Sequence, residues 1–176
     1  TQFSLVAARE AVADAGLKLD RIPAEQVGVY VGSAFGGILT LLAQTATFQP
    51  SERCRVSPFL IPMMIQNMAA GQISITMGLK GPSMSPMTAC AAGTDAVGQA
   101  AEAIRRGDAE VMICGGSEAP LAALVMGGFE AMGVLAVGNG VPQQACRPFD
   151  AGREGCVIGE GASMLVLESL AHARRR

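Results

Sequence analysis

Among the side chains able to act as nucleophiles, acids or metal ligands, one cysteine is set apart by its neighbours. Cys90 lies in the stretch SMSPMTACAAGTDAVG, Ser83 to Gly98, where a short apolar run ends and small residues begin at once. Thiolate is the nucleophilic form of cysteine. At the first turn of a helix, unpaired N–H groups and the dipole favour such an anion, and those N–H groups can face the oxyanion of an attacked thioester. Ala89, Ala91, Ala92 and Gly93 leave room for a substrate. The chemistry on offer is acceptance of an acyl group on sulfur and its transfer onward. The competing reading of the same spacing is a small cysteine buried in a core.

The remaining candidates offer less. Cys54, Cys114, Cys146 and Cys156 form no C-x-x-C pair and no zinc spacing, so no metal site is expected. Cys114 sits inside an apolar run and reads as core; the other three fall in loops. His172 is the single histidine, beside Arg174, Arg175 and Arg176, and a surface role is expected for it. Asp95, one turn beyond Cys90, is suited to capping or bridging backbone groups. GSAFGG lacks both the G-K-[ST] ending and the G-x-G-x-x-G pattern of phosphate loops, and GGSEAP reads as a turn. Met63, Met64, Met68 and Met77 suit a core or a soft apolar pocket.

The elements that must position Cys90 follow from periodicity. FSLVAAREAVADAG predicts a helix with Leu5, Ala8, Val12 and Ala15 on one face and Gly16 as its C-cap. VGVYVGS, Val27 to Ser33, predicts a buried strand, and a helix is expected from Ile38 to about Ala46. Residues 47–58 read as a loop with Pro50 and Pro58. A helix is predicted from Pro62 through PMMIQNMAAGQISITMG, with Pro62 at its first position. Ser83 to Thr88 is expected as a strand on an edge or with a bulge, because of Pro86. Cys90 to Arg106 is expected as a helix closed by Gly107, its Ala92, Ala96, Ala100 and Ala103 allowing close packing. Glu110 to Glu118 reads as a strand, AALVMGGFEAMG as a helix, residues 136–156 as mostly loop, and Gly161 to Ser169 as a final strand. A further helix is expected to begin in ESLAHARRR. Apolar strands alternating with helices indicate an α/β layer with both sheet faces covered.

Composition narrows the class. Half of the 176 residues are apolar and 16% are charged, which argues against disorder. The formal net charge is −2 and no basic field spans the chain, so nucleic acid is a poor partner. An odd, scattered set of five cysteines suggests free thiols in a reducing compartment. No signal peptide is visible and no apolar run is long enough to span a bilayer. A cytoplasmic location is therefore expected. Thr1 leads straight into a helical pattern and the last residues stop within another, so the chain reads as part of a larger unit.

The stretch GPSMSPMTACAAGTDAVGQAAEAIRRGDAEVMICGGSE resembles the elongating, type II class of β-ketoacyl-acyl-carrier-protein synthases. VGVYVGSAFGG, VSPFLIPMMIQNMAAGQIS and RPFDAGREGCVIGEGASMLVLE fall in the family's order, so the resemblance covers residues 1–176. It implies a thiolase-like fold, two similar α/β halves in α-β-α-β-α layers, usually dimeric. This chain would be an incomplete part of it, mainly the N-terminal half and the junction, without the opening strand. Most of the second half would be missing, with the two catalytic histidines, the supporting lysine and a glycine-rich phenylalanine loop; His172 matches neither histidine.

By that resemblance, Cys90 accepts an acyl group from acyl carrier protein. Malonyl carrier protein then loses carbon dioxide, and its enolate attacks the Cys90 thioester. The Cys90 N–H would supply one oxyanion contact, and Ala89 would line the substrate site. No cofactor is implied beyond the phosphopantetheine arm of the carrier. Phe35 falls where the family gates its acyl tunnel, commonly with isoleucine or glycine; ordinary core packing is the other reading. Leu60 falls where a residue reaches towards the partner's tunnel, and Phe129 at an aromatic near the pocket mouth. Arg55 is the best carrier-contact candidate, because Cys54 and Gly133 stand where basic residues are common. EAMGVLAV, Glu130 to Val137, also departs from the family's usual run. A bulky Phe35 suggests short acyl primers. The alternatives are a polyketide-type ketosynthase, against which TACAAGT speaks; a non-catalytic subunit, against which Cys90 speaks; and a structural fragment that needs a second chain.

Overall fold

The computed structural model describes residues 1–48, 56–138 and 140–176. Its centre is a four-stranded sheet in the order β2-β1-β3-β4, formed by β1 (Val27–Gly32), β2 (Ser83–Met84), β3 (Val111–Glu118) and β4 (Gly161–Glu168). β1 runs parallel to both neighbours, with Val29 opposite Ser83 and Ile113. β4 is antiparallel to β3, with Ile113 opposite Val166. The helices are α1 (Gln2–Asp14), α2 (Ile38–Thr47), α3 (Leu60–Met64), α4 (Met68–Met77), α5 (Ala92–Arg106), α6 (Ala123–Ala131) and α7 (Leu170–Arg175).

Strand alternation divides the core. Val27, Val29, Val31, Val111 and Ile113 point to one face and pack under α1 and α4, against Ala8, Ala70 and Ile73. Tyr30, Met112 and Cys114 point to the other face, against Ala96, Ala100 and Ala103 of α5. The α1 face expected from periodicity is the buried one: Ala8 is buried, and Leu5, Val12 and Ala15 pack around it. At its end Gly16 takes φ +62°, and Leu17 N–H donates to the Val12 carbonyl at 3.1 Å. That left-handed closure is the one glycine adopts freely.

Four expectations are corrected. The helix predicted from Pro62 is two helices, and Pro62 is the third residue of α3, where a missing N–H still costs no intrahelical bond. The break has a cause in packing. A Cβ at Gly37 would lie 2.0 Å from the Met63 carbonyl oxygen, and Gly37 N–H takes the Met64 carbonyl at 3.0 Å. That carbonyl is spent on the α2 entry, and Ile65 is extended. The strand expected over Ser83–Thr88 survives only as Ser83–Met84, on the sheet edge, because Pro86 has no N–H for a ladder. β4 is largely exposed on alternate residues, so the sheet is not covered on both faces along its whole width. His172 is buried rather than a surface residue; its Nδ1 lies 2.6 Å from the Glu168 carboxylate, which Arg176 also binds.

Candidate active site

α5 is placed by backbone closeness. A Cβ built on Gly32, the last residue of β1, would fall 2.1 Å from the Ala92 carbonyl oxygen. One on Gly93 would meet the Gly116 Cα at 3.3 Å. Gly32 and Gly116 are register partners on β1 and β3. Three glycines therefore let the first turn of α5 rest on the ends of two central strands. Only residues without side chains permit that approach.

Cys90 sits at the top of this joint. The long helix expected from Cys90 begins instead with a 3-10 turn, Ala89–Ala91, and becomes α-helical at Ala92. Ala89 has φ +51°, an uncommon and costly conformation for a residue with a Cβ. The turn throws Cys90 outward, where its side chain is exposed. Asp95 braces the turn, accepting from Thr88 Oγ1 at 3.3 Å and from Gln99 Nε2 at 3.0 Å.

The thiol faces a cleft of about 450 Å³ whose wall includes Phe35, Ala89, Gly116, Glu118, Phe129 and Ile158. Phe35 and Phe129 meet edge to face, ring centroids 6.1 Å apart with 82° between planes. The structure thus gathers Cys90, Ala89, Phe35 and Phe129 around one space. It does not bring Leu60 there: that side chain is half-buried on α3, outside the cleft wall. Arg55 and Cys54 lie outside the described residues.

The other described cysteines separate by burial and place. Cys114 is buried on β3, and burial pushes its thiol up to about 11. Cys146 and Cys156 are exposed but do not line the cleft. Among the described residues no group of three or more His, Cys, Asp or Glu side chains stands together to hold a metal, and no helix is long and apolar enough to cross a membrane.

One cleft residue went unread in GGSEAP. β3 runs two residues past the Gly32–Gly116 pair, which carries Glu118 beneath the turn that follows β1. Its Oε2 accepts from Ala34 N–H at 2.6 Å and Phe35 N–H at 3.1 Å, and Ser33 Oγ donates to Oε1 at 3.3 Å. The available signal was an acid closing a buried strand after two glycines, which calls for N–H donors nearby.

Residues 1–173 match the family described as Beta-ketoacyl synthase, N-terminal domain. The 3-oxoacyl-[acyl-carrier-protein] synthase 2 of Staphylococcus aureus is 46% identical over 176 residues, all of this chain and 43% of that protein. The protein of the same name from Synechocystis sp. is 42% identical over 174 residues, 99% of this chain and 42% of that one. A ketosynthase solved with its type II polyketide acyl-carrier protein and bound to a hexaketide superposes with a TM-score of 0.90 at 34% identity, over 99% of this chain and 44% of that chain. This chain therefore spans less than half the length of each relative. Its sheet flanked by helices, its strained cysteine turn and these matches together place the chain in the β-ketoacyl synthase family of the thiolase-like superfamily, within the N-terminal domain.

Proposed function

We propose that the protein carrying this chain is an acyltransferase that condenses an acyl thioester with malonyl carrier protein, through an acyl group held on Cys90. The carrying observation is the exposed Cys90 on its strained turn, facing a cleft walled by two aromatic rings. The Cys90 thiol gives up its proton as its sulfur attacks the acyl thioester carbonyl; the new C–S bond forms, the C–S bond to the carrier breaks, and the carrier sulfur takes that proton and leaves as a thiol. Malonyl carrier protein loses carbon dioxide, and the electron pair released forms an enolate. The enolate carbon attacks the Cys90 thioester, making the C–C bond and freeing the thiolate. Ala89 borders the sulfur, and the Cys90 N–H is one oxyanion donor. The histidine pair, the lysine and the second donor come from a second half of the fold, beyond residues 1–176.

Phe35 gates the acyl end of the cleft and Phe129 borders its mouth. Leu60 reaches towards the tunnel of a partner subunit in a homodimer, and Arg55 meets acyl carrier protein. The substrates are simple acyl chains of fatty-acid elongation, a reading that TACAAGT supports over a polyketide role. The enzyme works in the cytoplasm, and residues 1–176 alone form no product, since donor, enolate and histidines must be held together. In the whole protein, incubation with acyl carrier thioesters should add one acyl mass to Cys90, and Cys90→Ala should abolish it. A wild-type protein that stays unacylated and unalkylated at Cys90 overturns the assignment. Phe35→Gly should extend loading to longer primers, and an unchanged primer profile refutes the gate.

A further inference from the structure

We propose that Glu118 is a specificity-positioning residue, whose carboxylate fixes the turn that presents Phe35 to the cleft; this rests on Phe35 gating the acyl site, as proposed above. The turn Ser33–Gly36 leaves the sheet where β1 ends. It has no ladder partner there, so something else must satisfy its donors. Glu118 does so. Its Oε2 accepts from Ala34 N–H at 2.6 Å and from Phe35 N–H at 3.1 Å, while Ser33 Oγ donates to Oε1 at 3.3 Å. Ser33 Oγ in turn accepts from Gly36 N–H at 2.9 Å. The opposite side of the turn is held too, since Gln66 Nε2 donates to the Ala34 carbonyl at 2.9 Å.

Glu118 makes no ion pair among the described residues. Its acceptors are directed at one turn through charge-assisted bonds, of which the one from Ala34 N–H at 2.6 Å is short and those from Phe35 N–H and Ser33 Oγ are longer. The Phe35 backbone is thus held at its own N–H, while the residue as a whole is 37% exposed, lines the cleft and meets the Phe129 ring edge to face. A ring whose backbone is held yields poorly to an incoming chain; released, it can swing aside. Glu118 touches no reacting atom in this arrangement. It sets how far Phe35 can retreat, and so the acyl length admitted.

The test loads the whole protein with a short and a long acyl carrier thioester and follows acylation of Cys90 by intact mass. Glu118→Gln keeps the size but loses the charge and one acceptor. It should raise the long-to-short ratio of loading rates about tenfold, the scale of one charge-assisted bond. Ser33→Ala, which breaks the link to Gly36, should shift the ratio the same way by less. In a Phe35→Gly background, Glu118→Gln should add nothing to the ratio. A merely structural role would slow both primers equally and leave the ratio alone, and that result overturns the proposal. If Phe35→Gly shifts the ratio but Glu118→Gln does not, this inference alone falls. If Phe35→Gly is itself without effect, the gate reading fails and takes the clamp with it.

Discussion

Replacing Gly32 by alanine asks how much of the Cys90 site is held by backbone contact. The new Cβ would lie 2.1 Å from the Ala92 carbonyl oxygen and 2.2 Å from its carbon. Ordinary contact requires the strand end and the helix to part by about 1 Å or more, because a backbone carbonyl cannot swing away as a side-chain tip can. Overpacking of that kind costs about 1–3 kcal/mol of stability. A displacement near 1 Å at a reacting group costs about 10²-fold in rate. Gly93→Ala is the graded control. Its Cβ would meet Gly116 Cα at 3.3 Å, which asks for a shift of only a few tenths of an ångström, about one-tenth of that rate effect. The assay is acyl loading of Cys90 in the whole protein, followed by intact mass beside thermal melting. Gly32→Ala should load about 10²-fold more slowly and Gly93→Ala about 10-fold. Equal rates in the two variants, or the reverse order, would refute the idea that this joint sets the thiol's place.

Two further outcomes follow from burial and charge. Burial raises the Cys114 thiol to about 11, so at pH 8 it is neutral as well as enclosed. Iodoacetamide on the folded protein should modify Cys90 and spare Cys114, and peptide mapping that finds Cys114 alkylated before unfolding contradicts its placement. Glu168 is held below the ordinary glutamate range, chiefly by its hydrogen bond with Arg176 and further by His172. A depressed folded pKa stabilises above the unfolded value and is lost as pH falls through the folded one. The melting temperature of wild type should therefore exceed that of Glu168→Gln at pH 7, with the gap closing below about pH 4.5; a gap constant from pH 7 to 3 would count against it.

The fold was legible where periodicity and composition speak together. The α1 face, the buried β1 run and the small-residue helix α5 all lie where apolar spacing puts them, because burial is what that spacing encodes. What escaped reading was set by contacts distant in sequence. The α3–α4 break answers to Gly37, some thirty residues earlier, and nothing local in MMIQNM announces it. His172 among arginines looked like surface, yet Glu168 one turn back on the chain draws it inward. The cleft shows the same division. Cys90 was visible from its small neighbours, but the positive φ of Ala89 is invisible in a residue type that seldom adopts it. Glu118 became meaningful only once the β1–β3 register set it beneath the Ser33–Gly36 turn.

The two walls of the cleft are then determined by different kinds of atom. The thiol side is fixed by backbone against backbone, Gly32 on Ala92 and Gly93 on Gly116. These contacts have no rotamers, so they hold one geometry or break it. The aromatic side is held mainly by side chains, with Phe35 leaning on Phe129 and its turn tied to the Glu118 carboxylate and the Gln66 amide, while Gly37 just beyond the turn rests on the Met63 backbone. Side chains have alternatives, and a hydrogen bond lost there leaves the nucleophile where it was. Changes on the glycine side should alter loading of every acyl chain by the same factor. Changes on the Phe35 side should alter one chain length relative to another. On the proposed gate reading, a substitution in the second set should change the preferred acyl length while leaving the Cys90 turn and its reactivity towards iodoacetamide as they were.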